Sequence, residues 1–576
     1  VTNAASFFMA ASAGQADFDT TAIGNSVWLD GSSDGLTIAA SSMSDEDGKE
    51  FTLGTWFQLG RFANSEGLFC AGSSTSDYTS LRHDDDNKIY FQTQAGSAIL
   101  STTAVFRDVN WYHVLVSVDT TQSTASDRVQ IFINGVQQTL SGTQPSVNAV
   151  YEFNTAVIHE VGDSQENGAL MGYLAQSFMI GSKSIQQGDF AVTDVLDSFS
   201  FGTNGSQYAP KKDSEIVTLV ATGSSNSYLL DYAASGDLGN DTSGNNNDFT
   251  ATSMGTANHT TNSPSLFFPT WSPLNITGIS SVSEGNLKVV GGGAETSGVW
   301  STHSISSGMK IYLEGTWSAV SQGYFGVCKK ASHFLVSDTF NANADTSCFQ
   351  LTPSPPARGV NSAGSVLFTI GSSWTTSTTF QIAIDIDAGK LHFGANNTWY
   401  NSSGGTDGNP ATGSNPTVTF TGGTEFWVVG QASGSSGIEV NFGQTTVNVS
   451  SAAADENGYG TFEYAPPSGF LAFCSANLTT PSDQGVDYFN PKLYTGDGTA
   501  IGSGGLSVSG LGFQPDWEWI KNREQTDSHQ LWDAVRGTTK ALATDSTDDE
   551  ATESEGLTTF GSSGFTVGNQ NAVNTS

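Results

Sequence analysis

The sequence predicts an all-β protein built from tandem antiparallel β-sandwiches, and its composition supports this in three ways. Glycine accounts for 65 of the 576 residues, charged residues make up only 13%, and Ser, Thr and Asn fill most of the other polar positions. This composition suits short strands joined by many turns. Helical domains are instead rich in Glu, Lys, Arg and Leu. Because the chain is too long for a single core, we expect about three or four domains.

The charge balance restricts the classes of partner. The chain has 20 basic and 56 acidic residues, which give a net charge of -36. Binding to nucleic acid is disfavoured because phosphates require clustered Lys and Arg. An anionic membrane surface is disfavoured for the same reason, and no run of about 18 apolar residues predicts membrane insertion. The acidic surface either binds divalent cations or simply maintains solubility.

The four cysteines are too few and too scattered for a disulfide framework. Cys328 and Cys348 lie in one module, which leaves a disulfide between them open. Cys70 and Cys474 each follow a phenylalanine in an apolar run, which favours buried free thiols.

The first predicted module spans residues 1–265, and a Pro-containing linker is predicted over residues 266–275. Its strands are expected at Phe51–Leu59, Lys88–Gln92, Trp111–Val118, Val129–Asn134, Tyr173–Ile180 and Ser227–Tyr232. The segments FTLGTWFQLG, FRDVNWYHVLVSVDTTQSTASDRVQIFINGVQ, GYLAQSFMIGS and YLLDYAASGDLGNDTSGNNNDF follow one another in this order. The series resembles the concanavalin A-like, laminin-G-type module of tailed-phage structural proteins, which implies a jelly-roll sandwich.

The second predicted module spans residues 276–480. Its strands are expected at Ile382–Asp387, Lys390–Gly394, Asn397–Tyr400, Thr424–Gly430 and Ile438–Gly443. The segment DIDAGKLHFGANNTWYNSSG, followed by a Phe-Trp strand, VNFGQ and PPSGF, resembles the B30.2/SPRY-type sandwich.

A smaller β-rich module is predicted over residues 488–576 and is expected to be incomplete. Its segments YTGDGTAIGSGGLSVSGLGFQPDWEWIKNREQTDSHQLWDAVRGTTKAL and GLTTFGSSGFTVG resemble a repeat that follows the SPRY-like module in the same phage proteins.

The combined resemblance implies a virion protein, located in a tail fibre or similar appendage, that binds a glycan or protein on the host surface. Its partners would be other virion proteins, and we expect a homo-oligomer, with a trimer as the specific hypothesis. Two alternatives remain open. The chain could be a structural or decoration protein without a ligand, or a glycan depolymerase.

Catalytic residues are not predicted. Glycoside hydrolases need two carboxylates facing one cleft. Asp45, Asp47 and Glu50 belong to a charged turn, and Asp385 and Asp387 fit a hairpin in which carboxylates accept backbone N–H groups. No cofactor is required, and enzymatic activity is not expected.

Calcium remains open, because lectin-like sandwiches often bind Ca²⁺ through Asp and Asn in loops. Two loops offer such ligands, and their residues are Asp84, Asp85 and Asp86 in the first loop and Asp241, Asn245 and Asp248 in the second. The alternative for each is an Asx-rich turn.

Glycan recognition requires an aromatic face beside polar groups that read hydroxyls. The main candidates are Asn396, Asn397, Trp399, Tyr400 and Asn401, with Tyr78 and Arg82 as a further pair and Trp271 as another candidate. The alternative for these aromatic residues is packing in the core.

Overall fold

The computed structural model describes most of the chain as two compact units. The described residues are 19, 21–62, 64–93, 99–163, 168–200, 206–292, 298–319, 322–329, 345–351, 358–363, 365–370, 374–433, 436–478 and 488–575. One unit comprises residues 1–199 and 208–479, and the other comprises residues 200–207 and 480–576. The predicted all-β class with tandem antiparallel sandwiches is confirmed.

The first sandwich consists of two eight-stranded antiparallel sheets. Its strands are β1 (Ser26–Asp30), β2 (Gly35–Ile38), β3 (Glu50–Leu59), β4 (Glu66–Ser74), β5 (Asp77–His83), β6 (Ile89–Thr93), β7 (Ile99–Thr102), β8 (Trp111–Asp119), β9 (Val129–Ile133), β10 (Val136–Gln137), β11 (Leu140–Gly142), β12 (Ile158–Val161), β13 (Met171–Gly181), β14 (Leu196–Ser200), β15 (Ser206–Pro210), β16 (Tyr228–Leu230), β17 (Thr250–Thr252) and β18 (His259–Thr260). The sheet orders are β10-β9-β8-β3-β13-β1-β18, with β16 beside β13, and β11-β7-β6-β5-β4-β12-β2-β17. Strands β14 and β15 form a separate pair.

Both faces of the sheet that contains β3 are buried. In β3, Phe51 and Phe57 face the core between the sheets, whereas Trp56 faces the opposite side. Two short helices, α1 (Val192–Val195) and α2 (Asp213–Val220), lie on that opposite side. There Ile216 and Val220 of α2 belong to the same buried cluster as Trp56. This sheet face is therefore covered by the chain itself.

The second sandwich has a seven-stranded and a nine-stranded sheet. Its strands are β19 (Trp271–Thr277), β20 (Ile279–Ser283), β21 (Lys288–Gly291), β22 (Gly298–Ile305), β23 (Lys310–Trp317), β24 (Gln322–Lys329), β25 (Thr346–Leu351), β26 (Arg358–Ser362), β27 (Ser365–Thr369), β28 (Phe380–Asp385), β29 (Lys390–Ala395), β30 (Thr398–Tyr400), β31 (Val418–Thr419), β32 (Phe426–Ser433), β33 (Gly437–Asn441) and β34 (Leu471–Ala472). The orders are β19-β22-β32-β24-β25-β26-β27 and β20-β21-β33-β23-β28-β29-β30, with β31 beside β29 and β34 parallel to β23.

The segment predicted as a linker, residues 266–275, is packed into the protein. Phe267 belongs to a buried cluster of the first sandwich, and its neighbour Phe268 belongs to the core of the second. Hydrogen bonds also join the two sandwiches directly: Asn286 Nδ2 donates to Gly60 O over 2.9 Å, and Tyr173 Oη donates to Gly285 O. The two sandwiches are thus one packed unit.

The C-terminal module has two small antiparallel sheets. Its strands are β35 (Leu506–Ser509), β36 (Trp517–Ile520), β37 (Gln530–Asp533), β38 (Lys540–Ala543), β39 (Ala551–Thr552), β40 (Leu557–Gly561) and β41 (Gly564–Val567). The orders are β35-β41-β40 and β36-β37-β38-β39. One edge of β36 therefore pairs with no strand among the described residues, and we call it the free edge. Trp532 is completely buried among Leu557, Phe565 and Val567.

All four cysteines are buried free thiols, so the disulfide left open between Cys328 and Cys348 is not formed. Burial raises the pKa of Cys328 to about 11 and that of Cys474 to about 12. Among the described residues, no helix is long and apolar enough to cross a membrane.

Candidate functional site

The hairpin predicted to bind glycan uses most of its polar groups to form its own turn. Asn396 and Asn397 join β29 to β30 with φ values of 49° and 59°, as a two-residue hairpin turn of type I′ requires. The Asn396 side-chain oxygen accepts the backbone N–H of Thr379 over 2.9 Å. Asn401 accepts the backbone N–H groups of Ser403 and Gly405 at 2.8 and 2.9 Å. Asn396 and Asn401 therefore use their side-chain oxygens to hold the loop.

The two aromatic residues of this hairpin lie on opposite faces of the sheet. Tyr400 is 7% exposed and belongs to the core of the second sandwich. Trp399 is half-buried and covers Gly394, where an added Cβ would lie 2.9 Å from the indole ring. Its ring centroid lies 6.4 Å from that of Tyr312. Of the two aromatic residues predicted to bind a sugar, only Trp399 leaves part of its ring accessible, and sugar binding at this hairpin stays a prediction.

Three other candidates for sugar binding lie inside the protein. Tyr78 is 1% exposed and Trp271 is completely buried, so neither offers an open ring face. Arg82 is buried, donates to Asp84 over 2.6 Å, and lies 5.1 Å from the ring centroid of Tyr90. This burial favours the alternative of packing in the core, and their role in sugar binding stays a prediction.

The first candidate calcium loop contains two carboxylates that pair with basic side chains. Asp84 accepts hydrogen bonds from Arg82 and Ser65, while Asp86 accepts them from Lys88 and the hydroxyl of Tyr90. Asp85 is exposed. These cations already supply the charge that a metal ion would supply.

In the second candidate loop, the Asp241 carboxylate accepts four protein hydrogen bonds. The donors are the backbone N–H groups of Leu229, Ser243 and Asn247, each at 2.9 Å, and the Ser243 hydroxyl at 2.8 Å. Asp248 accepts the Asp241 N–H, and Asn245 donates to the backbone oxygen of Ser227. Both loops thus match the Asx-turn alternative. Across the described ranges, no group of three or more His, Cys, Asp or Glu residues is placed to hold a metal ion. Calcium binding at either loop stays a prediction.

Several carboxylates of the second sandwich accept hydrogen bonds from the fold itself. The Asp385 side chain accepts the Ala388 N–H over 2.9 Å, and Asp387 accepts the Gly308 N–H. Strand β28 ends at Asp385, whereas the strand was expected to continue to Asp387. Buried Glu314 accepts the Tyr312 hydroxyl and the N–H groups of residues 463 and 464. Each of these carboxylates is thus used by the fold.

A groove of about 840 Å³ lies within the C-terminal module. One wall is the irregular segment 488–496, the other is residues 511–525, and Phe565, Ala572 and Val573 contribute to the floor. Residues from both faces of β36 line the groove, so it follows the free edge of that strand. The lining of this open groove combines aromatic and aliphatic side chains with many polar and charged ones, a mixture that suits a ligand site.

Strand β36 presents two tryptophans on its exposed face. Trp517 is 54% exposed and Trp519 is 55% exposed, whereas the alternating residues Glu518 and Ile520 are buried. The Trp519 Nε1–H donates to Thr544 Oγ1 over 3.1 Å, and its ring lies 5.7 Å from His529. This hydrogen bond fixes the orientation of the Trp519 indole without any bound ligand. On the opposite wall, Tyr488 and Phe489 are 68% and 70% exposed, together with Leu493 at 74%.

Backbone groups of β36 also point into the groove. The Ala534 N–H donates to Asp516 O over 2.8 Å, which makes positions 516 and 534 a hydrogen-bonded pair. Hydrogen-bonded and non-hydrogen-bonded pairs alternate along an antiparallel ladder. The N–H and C=O groups of Trp517 and Trp519 therefore point away from β37, toward the free edge.

Glu518 places a carboxyl group in the groove lining on the core side of β36. It is 9% exposed, and burial raises the pKa of its carboxyl to about 7. Its Oε1 is buried and accepts no hydrogen bond in the described part of the chain. The Nε1–H of Trp532, which lies opposite on β37, likewise has no acceptor there. Near neutral pH this carboxyl is therefore partly protonated and can donate or accept a hydrogen bond.

Two parts of the chain match known protein families. Residues 30–177 match the concanavalin A-like lectin/glucanases superfamily, and residues 484–576 match a family described as a domain of unknown function (DUF7483). Among curated proteins, none shows a significant match to the chain.

Several solved structures align with part of the chain at low sequence identity. A native heptameric SAP-like pentraxin from Limulus polyphemus aligns at 14% identity with a TM-score of 0.24, covering 30% of this chain and 82% of the pentraxin. The SPRY domain of human HERC1 aligns at 13% identity with a TM-score of 0.22, covering 30% of this chain and 96% of that domain. The PSpry domain of TRIM65 aligns at 12% identity with a TM-score of 0.22, covering 30% of this chain and 91% of that domain. Each of these similarities concerns the fold alone.

The sequence contains a signal for the groove that our sequence-based predictions did not use. In Trp517-Glu518-Trp519-Ile520, the two tryptophans recur with period two, which predicts a strand with both rings on one face. The pattern does not tell whether that face is the buried or the exposed one. The exposed pair became evident only from the position of β36 at a sheet edge.

Proposed function

We propose that this chain is a non-enzymatic adhesin of a tailed-phage virion, located in a tail fibre or similar appendage, that binds a host-surface glycan through the C-terminal groove. The observation that carries the proposal is the exposed pair Trp517 and Trp519 beside that groove. Flat aromatic faces stack on the apolar faces of pyranose rings, and adjacent polar groups read the hydroxyls. The match of residues 30–177 to a lectin and glucanase superfamily supports glycan recognition as the class of function.

The proposal assigns the two sandwiches a supporting role. The polar side chains at Asn396 and Asn401, Asp84 and Asp241 are engaged in their own loops, which favours rigid spacing over ligand binding. Other virion proteins would anchor this unit. Assembly as a homotrimer would present three grooves together, and the resulting effective concentration would make weak single sites useful.

The test is adsorption of the full-length protein to host cells, combined with a glycan array. The double variant W517A/W519A should lose binding at least about tenfold, because the aromatic anchors of an interface dominate its affinity. The control V535A changes a 97% exposed residue of the same module that does not line the groove, and it should bind as the parent does. Unchanged adsorption of the double variant would contradict the proposal.

That contrary result would favour the alternative of a virion structural or decoration protein without a ligand. The satisfied loops of the sandwiches are the observation that favours this alternative. A glycan array with no binding by the parent protein, combined with its presence on purified virions, would support it.

A further inference from the structure

The protein has a net charge of -36, yet its C-terminal groove gathers basic side chains that have no acidic partner among the described residues. In the described part of this module, Arg536 pairs with Asp533 and Glu550, and Lys540 pairs with Glu550. The three remaining basic residues of that region form no ion pair, and all three line the groove: Lys492, Lys521 and Arg523.

These cations lie on both walls of the groove. Lys492 belongs to the segment 488–496, whereas Lys521 and Arg523 follow β36 on the other wall. Lys521 Nζ donates to the backbone oxygens of Gln525 and Asp527 at 3.2 and 2.6 Å, which positions it without neutralising its charge. Arg523 is exposed and keeps its planar fork of donors available, a geometry suited to bidentate binding of a carboxylate or sulfate.

The acidic residues of the lining do not cancel this pattern. Asp516 and Glu524 are exposed, and neither forms an ion pair with the groove's basic residues within the described ranges. Glu518 lies on the core side of β36, where burial disfavours its charged form. The groove is therefore less negative than the rest of the protein surface. An anion would be repelled by that acidic surface but not by the groove.

Building on the proposed glycan-binding function, we infer that the groove selects an acidic glycan, whose pyranose rings stack on Trp517 and Trp519 while its anionic groups are held by Arg523 and Lys492. The outward N–H groups of β36 add donors for the same anions or for hydroxyls. A peptide strand added to the free edge is the competing occupant. Strand β36 offers only a four-residue edge, however, and the flat rings and unpaired cations match a charged sugar better.

The experiment compares ligands that differ only in charge. Binding of oligogalacturonate to the full-length protein is measured by calorimetry beside its methyl ester, in which the carboxylates are neutral. A sulfated galactan oligomer forms a second arm, which distinguishes sulfate from carboxylate as the anion. We expect an acidic oligomer to bind at least about tenfold more tightly than the ester, with affinity falling as salt rises.

The variants R523Q and K492Q should each weaken binding of the acidic oligomer about fivefold or more and leave binding of the ester within about twofold. The control K540Q removes a lysine already paired with Glu550 and should leave both affinities unchanged. The inference would be overturned if the acid and the ester bound with equal affinity, or if R523Q weakened the binding of both equally. It would also be overturned if neither acidic oligomer bound, or if only a strand-forming peptide displaced the bound ligand. Neutral-glycan binding that is lost in W517A/W519A would leave the proposed function intact while this inference fails.

Discussion

Two tryptophan-bearing segments of the molecule differ in how they use their polar neighbours. Around Trp399, the side chains of Asn396 and Asn401 hold backbone N–H groups of their own loop, and the indole covers Gly394. Around Trp519, one hydrogen bond to Thr544 fixes the ring. Beside it, Glu518 Oε1 lacks a hydrogen-bond partner and Arg523 forms no ion pair among the described residues. An aromatic residue beside amides is thus not yet a binding site. What matters is whether the polar groups remain available once the local turn is formed.

The largest effect expected from this comparison is on stability at Trp399. W399A should lower the free energy of unfolding by about 2–4 kcal/mol, because it removes packing over Gly394 and against Tyr312. W517A should change the free energy of unfolding by about 1 kcal/mol or less, because Trp517 is 54% exposed and thus less buried than Trp399. Denaturant unfolding of the full chain measures both. A larger loss in W517A than in W399A would reverse the comparison.

The next effect concerns the buried carboxyl of Glu518. An unfolded glutamate titrates near about 4.3, whereas in the folded module its pKa is raised to about 7. Between these values the folded state binds more protons, so the free energy of unfolding falls as pH rises. E518Q should remove this slope and stabilise the module at pH 8 by about 1–3 kcal/mol. Hydrogen exchange of peptides across residues 517–533 from pH 5 to 8 measures it. A slope retained in E518Q would contradict the assignment.

A smaller effect is expected in the hairpin turn before Trp399. Asn397 has a φ of 59°, a conformation that costs most residues other than glycine and asparagine about 1–2 kcal/mol. N397V should therefore destabilise the protein by about that amount, whereas N397G should stay within about 0.5 kcal/mol. Thermal unfolding of the two variants compares them directly. Equal stability would show that the turn is not constrained in this way.

The smallest effect is expected from calcium. Asp241 already accepts four hydrogen bonds, and Asp84 and Asp86 pair with Arg82 and Lys88. Adding millimolar Ca²⁺ or a chelator should therefore change Tm by less than about 1 °C. A rise of several degrees with Ca²⁺ would instead identify a bound ion, and mutation of Asp241 or Asp84 would then locate it.

The sequence allowed the sandwich architecture to be predicted, because long strands such as β3, β8 and β13 carry continuous apolar and aromatic runs. The candidate site was less predictable, for physical reasons. Whether an asparagine reads a ligand or caps its own turn depends on φ and on backbone partners, which the residue type does not specify. Likewise, the alternation around Trp517 does not reveal that β36 lies at a sheet edge with a groove beside it.

The packed junction between the sandwiches has a consequence for how such a gene can recombine. Phe267 and Phe268 insert into different cores, and Asn286 and Tyr173 donate across the boundary. A crossover that exchanged one sandwich for another would leave these rings and donors facing a surface that had not evolved with them, and it would expose apolar area to water. Residues 21–478 should therefore be inherited as one cassette, whereas the C-terminal module, which carries the groove, can vary separately.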